Sequence, residues 1–96
     1  MNALERLHRN YWTAFLRYLP GRDEAALAEG YQIGRSAGSD GLTILDLVHV
    51  HHDSLRDVLR TSSPDELDDL TATAADFLSE VLATYEMTGR GYLEKP

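Results

Sequence analysis

The chain has 96 residues, a formal net charge of −7 and no cysteine. That length makes one domain burying a little over ~60% of its unfolded surface, which leaves a lone monomer marginal and favours self-association. The acidic balance excludes nucleic acid as the main partner, because phosphate binding needs clustered Lys and Arg, and the missing cysteine excludes disulfides and thiolate metal sites.

The first element is a helix opened by Asn2, with Glu5 three residues on in the position of a capping box. Leu4, Leu7, Tyr11, Ala14, Phe15 and Tyr18 recur at the helical period and predict its core face, until Pro20-Gly21 stops it. Trp12 falls beside that stripe, at a seam or contact surface. The second helix starts near Asp23, with Glu24 favoured in the first turn by the helix dipole. Leu27, Tyr31, Gly34, Ala37 and Gly38 form its predicted buried face, and Glu29 and Arg35 look outward. Gly30, Gly34 and Gly38 stand at four-residue spacing. Each costs a helix interior about 1 kcal/mol relative to alanine, so three in register imply the close approach of a neighbouring backbone. The run from Ser36 to Gly41 ends the helix.

The third helix begins at Thr43, with Asp46 completing a cap. Leu45, Val48, His52, Leu55 and Leu59 lie at spacings of three, four, three and four and predict the seam, which Ile44, Leu47, His51 and Val58 broaden. Ser63-Pro64-Asp65-Glu66 marks the start of the fourth, with Pro in the first helical position and Glu66 answering Ser63. Leu67, Leu70, Ala74, Phe77, Leu78, Val81, Leu82 and Tyr85 keep the helical period for about five turns, and Gly89 and Gly91 interrupt it. Tyr92 to Pro96 resume the amphipathic pattern without a designed stop, as in a domain cut from a longer signalling protein. The expected fold is all-α: a four-helix bundle over residues 1–96 with short loops and a long C-terminal helix, working as a dimer. No apolar run approaches the ~20 residues of a membrane span, and the N-terminus does not read as a signal peptide. The expectation is a cytoplasmic protein without a membrane partner.

His49, His51, His52 and Asp53 are the dense cluster of reactive side chains. Helical geometry aligns His49 with His52 and Asp53 and turns His51 away, which leaves a metal site short of a third ligand. The expectation is no metal and no cofactor. His52-Asp53-Ser54-Leu55-Arg56 also resembles the phosphoacceptor box of sensor histidine kinases, in which an acid follows an exposed helical histidine, although the usual proline is missing. A phosphotransfer domain using His52 or His51 is therefore the alternative function. No Gly-x-Ser-x-Gly turn or Gly-rich phosphate loop occurs, so no enzyme activity is expected.

The ordered combination of Tyr11, Tyr18-Leu19, Glu24-x-x-Leu27, Tyr31-Gln32-Ile33-Gly34-Arg35, Gly41-Leu42-x-Ile44-Leu45-Asp46-Leu47, His51 followed by Leu55, Phe77-Leu78-x-Glu80 and Tyr85-Glu86-Met87-x-x-Arg90-Gly91-Tyr92 resembles the N-terminal domain of RsbU-type phosphatases. The resemblance implies a non-catalytic, dimeric helical bundle that recruits an RsbT-like switch kinase. That contact activates a linked serine phosphatase acting on an anti-anti-sigma factor in bacterial stress signalling. It also points to a partner groove around helix two, for which Glu24, Leu27, Ala28, Tyr31 and Arg35 are the candidates. Core packing is the competing role for Leu27 and Tyr31, and an ion pair with Asp46 or Glu80 is the competing role for Arg35. Trp12, Phe77, Val81 and Tyr85 are the candidate exposed apolar positions for the dimer interface. Gly30 departs from the alanine more usual in that family.

Overall fold

The computed structural model describes the backbone of residues 1–94 and the side chains of residues 1–88. Four α-helices form, α1 (Ala3–Tyr18), α2 (Glu24–Ser39), α3 (Ile44–Arg60) and α4 (Leu67–Glu94), with no strand among the described residues. Local chemistry sets the helix starts. Asn2 accepts from the Glu5 N–H at 2.8 Å, Asp23 accepts from Ala25 N–H at 2.9 Å, and Thr43 accepts from Asp46 N–H at 3.1 Å. Ser63 opens a 3₁₀ turn over Pro64–Glu66 before α4 begins, and the Glu66 carboxylate accepts from both the Ser63 backbone N–H and its hydroxyl. Those bonds, the hydroxyl first, hold the Glu66 carboxyl below its ordinary pKa.

α2 ends in a Schellman motif: Gly41 takes φ +76°, Leu42 N–H donates to Ala37 C=O at 3.0 Å, and Gly41 N–H donates to Gly38 C=O at 3.3 Å. The carbonyl of Leu42 then accepts from the Tyr85 hydroxyl at 2.7 Å, which fastens α4 to this turn.

The bundle departs from a square of antiparallel neighbours. α2 and α4 form the most extensive contact and run parallel, with Gly30 beside Phe77 and Val81, Gly34 beside Val81, Thr84 and Tyr85, and Gly38 beside Thr88. A Cβ at Gly34 would overlap the Thr84 hydroxyl and the Val81 carbonyl, so only glycine allows this approach. Tyr11, Phe15, Phe77 and Val81 are fully buried where α1 meets this pair, with the Tyr11 and Phe77 rings edge to face at 5.3 Å.

Several predicted faces shift. Leu7, Tyr11, Ala14, Phe15 and Tyr18 line the core as expected, but Leu4 is exposed. On α2 the buried side includes Ala26, Gly30 and Ile33 as well as Gly34 and Ala37, and Leu27 and Tyr31 are half-buried. α3 buries Leu47 and His51 from the predicted broad side together with Val50 and Ser54, and Leu55 and Val58 pack half-buried on the core, whereas Leu45, 62% exposed, Ile44, 51% exposed, and His52 look outward. The reason is polar satisfaction: the Ser54 hydroxyl donates to Val50 C=O at 2.9 Å and His51 bonds Tyr11, so two polar residues occupy core positions at little cost. α4 passes through Gly89 and Gly91 to Glu94 without interruption. Its register puts Gly38, one residue before the end of α2, beside Thr88, so its last turns extend past α2. The predicted tail at Lys95 and Pro96 lies outside the described residues.

Gly34→Ala should destabilise the domain by about 3 kcal/mol or more, the upper range for overpacking against backbone that cannot yield. Gly21→Ala, where a Cβ meets nothing within 4 Å, should be neutral or mildly stabilising. Denaturant unfolding of the two variants measures the difference, and equal stabilities would contradict the packing described.

Candidate functional site

α2 has three edges: the glycine-containing core face, an edge along α4, and an edge facing α1. The candidates from the sequence form one strip along α2 that reaches from the α4 edge to the rim of the α1 groove. Leu27 packs on the core from the α4 side, and Tyr31 stands half-buried beside Glu80 of α4. The Glu80 carboxylate raises the Tyr31 phenol pKa, through hydrogen bonding first and burial second. Glu24 is exposed at the start of the helix. Ala28 and Arg35, three residues before and four after Tyr31, continue the same strip of α2 and also line a groove of about 910 Å³ between α1 and α2 with Arg6, Arg9, Gln32 and Ser36.

Arg35 does not form the expected ion pair. The Asp46 carboxylate accepts from Thr43 N–H at 2.9 Å, and Glu80 is engaged with Tyr31. Among the described residues no carboxylate bridges Arg9 or Arg35, and Arg6 donates to the Met1 carbonyl at 3.1 Å. The groove therefore presents three guanidinium groups without carboxylate partners in an acidic protein. Glu29 at its rim is taken by Arg17 at 2.7 Å. Sequence reasoning missed this feature, although Arg6, Arg9, Asn10 and Thr13 follow one another at helical spacing on the polar side of α1.

Two of the four residues expected at a dimer surface are not available to one. Phe77 and Val81 are completely buried against α1 and the α2 glycines, because the close α2–α4 approach turns that face of α4 inward. Trp12 is half-buried, and half-buried Tyr85 has its hydroxyl on Leu42.

The histidines also separate. His51, 4% exposed, sits edge-on to Tyr11 and Phe15, with ring centroids at 5.8 and 5.6 Å. The Tyr11 hydroxyl and the His51 Nδ1 share a hydrogen bond at 2.7 Å. Burial, reinforced by nearby His52, pushes the His51 pKa down to about 4, and burial raises the Tyr11 phenol far above its ordinary value. A ring so enclosed has no access to a phosphoryl donor, which removes His51 as a phosphoacceptor. His52 is exposed, but Asp53, the acid that would serve it as base, lies 3.7 Å from His8 Nε2 instead. Among the described residues no group of three or more His, Asp and Glu side chains is placed to hold a metal.

The family model for the N-terminal domain of the phosphoserine phosphatase RsbU matches residues 9–88. No curated protein and no solved structure shows a significant match to the chain. The matched span includes the glycine stripe of α2, the Tyr11–His51 bond and the α4 residues that pack on both.

The depressed pKa of His51 has a definite sign in stability. The unfolded chain protonates this ring below about pH 6.5 and the folded chain only near pH 4, so its contribution is complete above 6.5 and is lost as the pH falls toward 4. The loss should be on the order of 3 kcal/mol. Tyr11→Phe/His51→Leu removes both polar partners together and should flatten this part of the profile in unfolding experiments across that range. An unchanged acid slope in the double variant would contradict the assignment.

Proposed function

The chain belongs to the RsbU N-terminal domain family, and from that premise we propose that it is a regulatory recruitment module that binds an RsbT-like switch kinase. The matched domain is the regulatory part of such a phosphatase and not its catalytic part. Binding the kinase activates a linked serine phosphatase, which removes phosphate from an anti-anti-sigma factor in stress signalling. The observation that carries this reading is the family match over residues 9–88, across all four helices. The domain acts as the N-terminal part of a longer cytoplasmic signalling protein and works as a homodimer.

The arrangement of α2 supports a location for the kinase. Glu24, Leu27 and Tyr31 share the edge that runs beside α4, with an aromatic ring, an aliphatic side chain and a carboxylate within two turns. A half-buried tyrosine beside apolar surface suits an interface anchor, since it buries a large area with few rotatable bonds. Ala28 and Arg35 flank Tyr31 on the same strip and extend the contact toward the α1 groove. A partner bound along this edge touches both members of the α2–α4 pair. Because α4 extends past α2, a change in how the pair packs is carried along α4 to a linked output domain.

Tyr31→Ala should weaken kinase binding about tenfold or more while leaving the helical content unchanged. Titration calorimetry with a purified RsbT-like kinase, paired with circular dichroism, measures both. Parental affinity in Tyr31→Ala would remove this edge as the binding site.

A further inference from the structure

We propose that Glu80 of α4 is a positioning residue for the partner contact: its carboxylate holds the hydroxyl of Tyr31 and so fixes the ring that α2 presents to the kinase. That role rests on the recruitment reading above and adds to it a residue from outside α2.

The packing of α2 on α4 brings the two side chains together. Gly30 and Gly34 lie against Phe77 and Val81, so Tyr31, which follows Gly30, and Glu80, which precedes Val81, stand on the flank of that contact, and both are half-buried there. The Tyr31 hydroxyl donates to the Glu80 carboxylate. Nothing on α2 itself can take its place. The residues three and four positions from Tyr31 along the helix are Leu27, Ala28, Gly34 and Arg35, and none of them carries a side-chain acceptor. The acceptor has to come from another helix, and α4 supplies it.

Glu80 is also free of other calls on its charge. Among the described residues no Lys, Arg or His forms an ion pair with it. Asp76, one turn earlier on α4, takes Arg22, and Arg35 stands unpaired one turn after Tyr31. A carboxylate half withdrawn from water needs a donor, and here the phenol is that donor. The ring is therefore held at both ends, by its backbone and by its hydroxyl, before a partner arrives. Ordering an interface side chain in advance removes a cost that binding would otherwise carry. Because the tether belongs to α4, the presentation of Tyr31 depends on how α2 and α4 pack, and a partner that grips the ring favours that packing in return.

Titration calorimetry with a purified RsbT-like kinase tests this. Glu80→Ala should weaken binding about three- to tenfold with unchanged circular dichroism, and Glu80→Gln, which keeps an acceptor oxygen, should stay within about twofold of the parent. In a Tyr31→Phe background, where no hydroxyl remains to be held, Glu80→Ala should add no further loss. Additive losses would overturn the positioning role, because Glu80 would then act on the partner by itself. A second readout needs no kinase: the NMR three-bond couplings of Tyr31 should report one side-chain rotamer in the parent and in Glu80→Gln, and averaging in Glu80→Ala. A ring equally ordered in all three, or parental affinity in Glu80→Ala where Tyr31→Ala loses binding, would overturn the role of Glu80 and leave the α2 site standing. A parent chain that does not bind the kinase would overturn the recruitment reading and this role with it.

Discussion

Everything in this bundle is arranged around the closeness of α2 to α4 at Gly34. A single β-carbon there would enter the space of the Thr84 hydroxyl and the Val81 carbonyl. Because it is missing, two helices run parallel in direct contact, Phe77 and Val81 turn into the core, and α1 closes over them with Tyr11 and Phe15. The conformational cost of glycine in a helix is offset by the packing it permits. α3 is held more loosely, through the Tyr11–His51 bond and a narrow apolar face, which leaves its Ile44–Leu45 end uncovered.

This arrangement gives α2 its functional character. Leu27 and Tyr31 lie toward the α4 contact, and Ala28 and Arg35 beside them reach the rim of the α1 groove. A protein bound on either side therefore touches a pair of helices whose relative position is set by steric fit. Such packing has discrete alternatives more readily than graded ones, which is what a regulatory domain needs in order to report occupancy. The chemistry is correspondingly quiet. The most perturbed titratable pair, Tyr11 and His51, is sealed in the core and holds α1 to α3.

Much of the fold was legible in the residues. The Asn2–Glu5 and Thr43–Asp46 boxes and the Asp23 cap act locally, so their spacing alone locates helix starts. The glycine stripe announced a close approach, because nothing else justifies its cost, though not which helix would approach. On α3 the predicted broad side holds at Leu47, His51, Leu55 and Val58, but Ile44 and Leu45 lie outside and Ser54 lies inside, because its hydroxyl is satisfied within its own helix in a way that periodicity does not display. Phe77 and Val81 were placed at a surface because periodicity identifies an apolar stripe without saying what covers it. Gly89 and Gly91 were read as a break, but a helix of this length propagates through them once its neighbouring turns are formed. Of the candidate site, Tyr31 and Arg35 could be named from their motif. The groove that gathers Arg6 and Arg9 with Arg35 depends on where α1 lies, which the motif does not display.

The molar mass of the chain in solution, alone and mixed with an RsbT-like switch kinase, tests the proposed recruitment most directly. The account predicts a dimer whose mass rises by one or two kinase chains on mixing. A mass unchanged by excess kinase would contradict it.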